Sequence, residues 1–342
     1  MAKNQAAWIT EAKGKPFKVQ EAPNPKAGPG EVVIKNAAIA INPVDWKIQE
    51  YGGFVKQYPN ILGTDVAGVI EEVGEGVTRF TKGQRVIGHL VGLLTGDPTS
   101  AAFQLYSKTF EIMVSPIPDS LSFEEATVLP LAISTAAAGL YQKSLLALPF
   151  PSTNPQPTGK TLLVWGGSSS VGATAIQLAV ASGVKVVATA SRKNHDFVKS
   201  LGAVAVVDYK SPNVVEELLA AIDQQGGSLV GAYDAISEPS SLQHIGALTD
   251  KVGVLPVATV LPPPEGLTKT AEAKQVVAPT IATQYKEIAD GVWRKFVPEA
   301  LASGQFKAKP DPLVVGKGLE KIQEAVDKQH AGVSAKKVVV SL

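Results

Sequence analysis

The stretch Thr161 to Asn194, TLLVWGGSSSVGATAIQLAVASGVKVVATASRKN, constrains the fold more than any other part of the chain. An apolar run, Thr161 to Trp165, passes into a loop of small residues, Gly166 to Gly172. A helical pattern follows, with Val171, Ala175, Leu178 and Ala179 on one face, and then a second β-branched run from Val184 to Thr189. Strand, loop, helix and strand in that order make a parallel unit, and small loop residues let backbone N–H groups approach a phosphate at the helix start. The spacing is a variant of the G-x-G-x-x-G dinucleotide fingerprint, with Gly167, Ser169 and Gly172 at its three positions and a serine replacing the middle glycine. Ser168, Ser169, Ser170 and Val171 are expected to cradle a pyrophosphate.

The end of the second strand selects the dinucleotide. A ribose 2′-hydroxyl calls for a carboxylate about 20 residues after the loop. The chain has Ser191-Arg192-Lys193-Asn194 there, a hydroxyl and two cations among them. These suit a 2′-phosphate. Cations at a helix start also oppose its dipole unless an anion joins them. The expected cofactor is NADP(H), held by Ser191, Arg192, Lys193 and Asn194.

With 342 residues the chain is long for a single core, so two domains are expected. A net charge of +1 gives no field for nucleic acid or an anionic membrane. No apolar run reaches membrane-spanning length, and MAKNQAAWIT lacks a signal-peptide core, so a cytoplasmic location is expected. The absence of cysteine excludes disulfides, thiol catalysis and cysteine-based zinc sites. His89, His195, His244 and His330 stand in no metal spacing, so no metal is expected.

The first part of the chain reads as short strands between turns: Glu31 to Asn42, Asp65 to Val77 with the glycine spacing of tight hairpins, and Gly83 to Gly88. Ser122 and Glu125 form a capping-box pattern, and Pro130 breaks the alanine-rich helical stretch Ala126 to Tyr141. From Thr161 to about Val260 strands and helices alternate, the sign of a doubly wound parallel sheet. Trp293 to Ser303 and Leu319 to Gly332 read as helices, and the closing KKVVVSL reads as a strand returning to the first domain.

With these pieces in order, the chain resembles the medium-chain dehydrogenase/reductase superfamily. The matching segments are GEVVIKNAAIAINPVDWK, PNILGTDVAGVIEEVGEGV, GQRVIG, AAFQLY, the phosphate loop and LGAVAVVDY. The resemblance implies an α/β protein: a GroES-like β-rich catalytic domain, residues 1–130 and 300–342, plus a Rossmann doubly wound parallel-sheet domain, residues 131–299. Where the zinc branch carries a ligand cysteine this chain has Asn42-Pro43, and where it has Gly-His-Glu this chain has Gly63-Thr64-Asp65. The resemblance therefore goes to the zinc-independent quinone oxidoreductase and enoyl reductase branch, and most to fungal trans-acting enoyl reductases. It implies NADPH-dependent hydride transfer to the β-carbon of an alkene conjugated to a carbonyl, with an enone, enoyl thioester or quinone as substrate and a polyketide synthase as partner. A quinone or alkenal-detoxifying reductase, or a non-catalytic NADPH-binding protein, stays open.

Without a metal, the charge developing on the carbonyl oxygen must meet a donor or a cation. The resemblance puts Lys47 on a loop beside the nicotinamide, shaped by Asn42, Pro43, Val44, Asp45 and Trp46. Tyr51 and Tyr106 are further donor candidates, and Phe103 is expected to line the substrate cleft. Thr135, Leu255, Pro256, Ala335 and Lys336 are placed near the nicotinamide, and Tyr209 near the 2′-phosphate, by resemblance alone. The run Val252 to Val260 reads as an edge strand whose Pro256 discourages sheet pairing, so a monomer is favoured over a dimer.

Overall fold

The computed structural model describes residues 3–267 and 269–342. The chain divides into two compact units: the first runs to Leu131 and resumes at Ala308, and the second is Ala132–Lys307. The second unit reaches beyond the expected boundary of 299. Its last residues are held by a two-way bond, Gln177 Nε2 donating to Lys307 O at 3.1 Å and Lys307 N to Gln177 Oε1 at 2.8 Å. Phe306 packs edge-on against Phe296 beside them.

The first unit is β-rich, as expected. A seven-stranded sheet runs in the order Pro312–Lys317, Lys337–Ser341, Glu31–Ala40, Asp65–Val73, Arg85–His89 and Val114–Pro116, and Tyr106–Phe110 also pairs with Glu31–Ala40. The last strand of the chain lies antiparallel to the third, Val339 opposite Ala40 and Ser341 opposite Ala38. Asp65–Val73 is one continuous strand rather than a tight hairpin. Gly68 is required there because a Cβ would meet the Lys35 carbonyl oxygen at 2.1 Å. The capping box at Ser122 and Glu125 is formed, and the alanine-rich stretch splits into Phe123–Ala126 and Pro130–Tyr141.

The second unit holds a six-stranded, wholly parallel sheet. Its order is Ala205–Val207, Lys185–Thr189, Lys160–Trp165, Ser228–Asp234, Leu255–Thr259, Ala271–Gln275. In chain order this is 3-2-1-4-5-6, the doubly wound arrangement whose direction reverses between the first and fourth strands. The helix Ser170–Ala181 is buried around nearly its whole circumference from Gly172 to Ala179, rather than along one stripe.

Leu255–Thr259 is not an edge strand. It is flanked on both sides, and Ala271–Gln275 closes the sheet with Glu272 and Lys274 in it. The expectation of a monomer rested on prolines at an edge, and that premise falls. Among the described residues no helix is long and apolar enough to cross a membrane.

Candidate active site

The nucleotide loop is built at the carboxyl end of Lys160–Trp165, next to the reversal of the sheet. Gly166 N donates to Thr189 Oγ1 at 3.0 Å and Gly167 N to Thr189 O at 2.8 Å, tying the loop to the neighbouring strand. Gly166 has φ +79°, and a Cβ there would meet the Ile236 side chain at 2.5 Å. Gly172 lies against the loop so closely that a Cβ would sit 2.2 Å from Gly166 O. Ser169 caps the helix by accepting from Gly172 N at 3.0 Å. Gly166, just before the fingerprint, makes the tight turn, and Gly172, its last position, allows the close helix packing, while Ser168, Ser169, Ser170 and Val171 stay half-exposed. This backbone cradle suits a pyrophosphate.

The basic segment joins the loop through Asn194, which donates to Ser191 Oγ at 3.2 Å and Ser168 Oγ at 3.4 Å. Arg192 and Lys193 form a short 3-10 turn after Ser191. Both are exposed and make no ion pair with the described residues. Tyr209 is 41% exposed beyond the end of Ala205–Val207, so its ring is available rather than buried. Thr135 is buried in Pro130–Tyr141, and its carbonyl accepts from Tyr233 Oη at 2.7 Å.

The sheet register corrects two placements. Trp165 is level with Asp234, and Asp234 with Thr259. Leu255 and Pro256 begin that strand, so they lie at the opposite end of the sheet from the loop. The residues that do share the loop's end are Asp234, Ser237, Thr259 and Val260. Asp234 accepts from Ser241 Oγ at 2.6 Å and Ser237 N at 2.8 Å, and Ser237 Oγ accepts from Val260 N at 2.8 Å. The signal that could have found them is the general rule that ligands bind outside strand carboxyl ends.

In the first unit, Asn42 to Trp46 form the start of a helix, Pro43–Tyr51, rather than a loop. Asn42 is its N-cap, Pro43 its first residue, and Asp45 completes a capping box by accepting from Asn42 N at 2.7 Å. Val44 packs on the core. The Asn42 side chain donates to Thr64 Oγ1 at 3.1 Å and Asp65 Oδ2 at 2.8 Å and accepts from Lys337 Nζ. Lys337 pairs with Asp65 at 3.1 Å, with side-chain exposures of 4% and 0%. Burial pushes Asp45 up to about 7 and holds His89, in the same buried region, near 4 and neutral.

Sequence reasoning placed Lys336 near the site and missed Lys337. Lys336 lies just before the last strand, exposed and paired with Asp311 at 3.2 Å, whereas Lys337, the first residue of that strand, is buried. Ala335, before them, has a left-handed backbone, φ 49°.

Lys47, five residues into the helix from its cap, has no hydrogen bond or ion pair with the described residues. Its ammonium sits 5.6 Å from the Trp46 ring centroid. Trp46 stacks on His330 at 4.4 Å and meets the edge of Tyr51 at 6.1 Å. Tyr51 is 67% exposed. Tyr106 is buried on its strand, its N–H bonded to Asn4 Oδ1 at 3.1 Å, and no contact joins it to Lys47. Phe103 does not line a cleft. It is fully buried, edge-on to Phe17 at 5.7 Å, and fills the space left by Gly63, whose Cβ would lie 2.3 Å from its ring.

The donor set does not fit zinc. Asn42 and Thr64, which stand where the zinc branch carries a cysteine and a histidine, offer an amide and a hydroxyl already bonded to each other. The Lys337 ammonium beside them would repel a cation. Among the described residues no group of three histidine, cysteine, aspartate or glutamate side chains could hold a metal.

Comparisons with known proteins agree with this architecture. Residues 28–116 match the alcohol dehydrogenase GroES-like domain and residues 170–291 the zinc-binding dehydrogenase family. The chain is 48% identical to the trans-enoyl reductase himH of Aspergillus japonicus, over 99% of this chain and 97% of that one. It is 42% identical to the dehydrogenase orsE of Emericella nidulans over the full length of both. An alcohol dehydrogenase superfamily protein from Novosphingobium aromaticivorans has the same fold, with TM-score 0.77 at 24% identity over 99% of each chain. The chain belongs to the medium-chain dehydrogenase/reductase superfamily, as an oxidoreductase that uses a nicotinamide cofactor.

Proposed function

We propose that this protein is a zinc-independent, NADPH-dependent enoyl reductase acting in trans beside a polyketide synthase. The observation that carries the reading is the pairing of two features in the first unit. The positions of the zinc ligands are closed by Asn42 and Thr64, and a cation, Lys47, stands on the adjoining helix over the Trp46 ring, with no hydrogen bond or ion pair among the described residues. Its similarity to himH along nearly the whole chain supports the substrate class, and the unpaired Arg192 and Lys193 support the 2′-phosphate.

Bound NADPH supplies a hydride, which goes to the β-carbon of an alkene conjugated to a thioester carbonyl. The electron pair of the double bond moves to the carbonyl oxygen, and the α-carbon then takes a proton. The Lys47 ammonium meets the developing oxyanion. Tyr51, solvent-exposed and in contact with the same Trp46, relays the proton from water. Ser168, Ser169, Ser170 and Val171 would hold the pyrophosphate; Ser191, Arg192, Lys193 and Asn194, with Tyr209, would hold the 2′-phosphate. Thr135 would serve the nicotinamide side.

The test is NADPH oxidation with an α,β-unsaturated acyl thioester, a simple enone and a quinone, with NADH as control. Fastest turnover of the thioester with NADPH is expected. Faster quinone turnover would make it a quinone oxidoreductase. Tight NADPH binding with no turnover of any substrate would make it a non-catalytic binder.

A further inference from the structure

Lys337 lies at the beginning of the last strand, and the residues it engages come from distant parts of the chain. Its ammonium bonds Asp65 and Asn42 Oδ1, the latter across a separation of 295 residues. The second Asp65 oxygen accepts from Leu131 N at 2.6 Å, at the start of Pro130–Tyr141. Both hydrogens of the Asn42 amide are taken, by Thr64 and Asp65, and its oxygen is taken by Lys337. The side chain of the N-cap therefore has one orientation in which every polar atom is satisfied.

A buried ion pair costs desolvation at both ions and contributes little net stability beside an apolar pair of similar volume. In some proteins such a pair serves to fix a geometry. By the sequence resemblance, Asn42 and Thr64 stand at the zinc branch's ligand positions. This chain has an ammonium of its own, and that ammonium holds the cap of the helix carrying Lys47. His89 is neutral there, and Asp45 binds the cap from the helix side, so Lys337 is the cation facing Asn42.

We propose that Lys337 is a positioning residue: locked by Asp65, it fixes Asn42 and thereby the start of helix Pro43–Tyr51, and this holds Lys47 where the carbonyl charge develops. The proposal rests on the reading that Lys47 meets that charge. Displacements near 1 Å in a positioning element cost about 100-fold in rate.

The experiment uses the full-length protein with NADPH and an α,β-unsaturated acyl thioester. Two variants cut the link: Lys337→Met, and Asn42→Ser, which keeps a residue type favoured at a helix N-cap and leaves the Lys337–Asp65 pair intact should the first fail to fold. For both, kcat is expected to fall about 10- to 100-fold while KM for NADPH stays within about twofold. Hydrogen exchange is expected to quicken over residues 43–51 and to be unchanged over residues 160–194. In a Lys47→Ala background either variant should cost less than about threefold more, because both act through one group. Fully multiplicative losses, or an Asn42→Ser enzyme with wild-type kcat, would overturn the proposal. If Lys47→Ala itself keeps full turnover, the catalytic reading of Lys47 fails. The exchange over residues 43–51 then decides whether Lys337 positions the helix, and unchanged exchange rejects it.

Discussion

The nucleotide loop and the Asn42–Lys337 cluster are both polar sites, and they are made in opposite ways. The loop is made mainly of backbone: glycines at 166 and 172 allow close approaches, and the bonds that hold it span 26 residues or fewer. The cluster is made of side chains, with a full charge of each sign buried and a bond spanning 295 residues. A backbone site tolerates most side-chain changes and fails where a Cβ intrudes. A side-chain site fails when any one member loses its charge or its hydrogen bond, since the others are then buried without partners. The two regions should therefore break differently.

The largest effect is expected on the side-chain side. Lys47→Ala should lower kcat about 100- to 1000-fold, as loss of one group facing an oxyanion does, with NADPH affinity unchanged. Steady-state kinetics and a direct NADPH titration check both parts. Next is the backbone site. Gly172→Ala places a methyl 2.2 Å from Gly166 O. The overpacking, about 1–3 kcal/mol, should weaken NADPH and NADH alike by about 10- to 100-fold. Equal binding by variant and wild type would mean the loop is not a cradle.

A selective effect comes third. Arg192→Ala with Lys193→Ala should weaken NADPH about 10- to 50-fold and leave NADH within about twofold, because only the 2′-phosphate is lost as a partner. Equal wild-type affinity for the two cofactors would remove the basic segment from recognition.

The smallest effect concerns pH. Asp45 is held at about 7 against an ordinary value of 3.8, so between those pH values the folded chain keeps a proton that the unfolded chain releases. Stability from this group falls as pH rises through that window and is level above it. His89, near 4 against 6.5, acts oppositely, with stability lost as pH falls from 6.5 to 4. Asp45→Asn keeps an acceptor for Asn42 N and removes only the first contribution. Its stability advantage over wild type in urea denaturation should grow from pH 4 to pH 7 and then stay constant.

The contrast also explains what was legible in the sequence. The small-residue loop at the start of Ser170–Ala181, the capping box at Ser122 and the break at Pro130 are signals carried by a few neighbouring residues, and the structure has each of these local features. The misplacements are all non-local. Ala271–Gln275, AEAKQ, has no β-branched residue and is a strand because Leu255–Thr259 offers it a partner. Missing it made an interior strand into an edge. Leu255 and Pro256 were put at the wrong end of a strand whose direction was right. Lys336 was named rather than Lys337 because nothing local shows which of two adjacent lysines the fold buries. Phe103 was taken for a cleft residue because nothing local shows that Gly63 makes room for its ring.

By itself the sequence determined the parallel-sheet unit, its small-residue loop and the cations beside it, along with an amide and a hydroxyl at Asn42 and Thr64. These depend on residue type and on spacings short enough for the chain to bring the groups together locally. Only the tertiary structure decided what stands beside that amide and hydroxyl. Pairing the last strand with Glu31–Ala40 carries Lys337 to Asp65 and Asn42, and a bond across nearly the whole chain has no periodicity or spacing by which to be read.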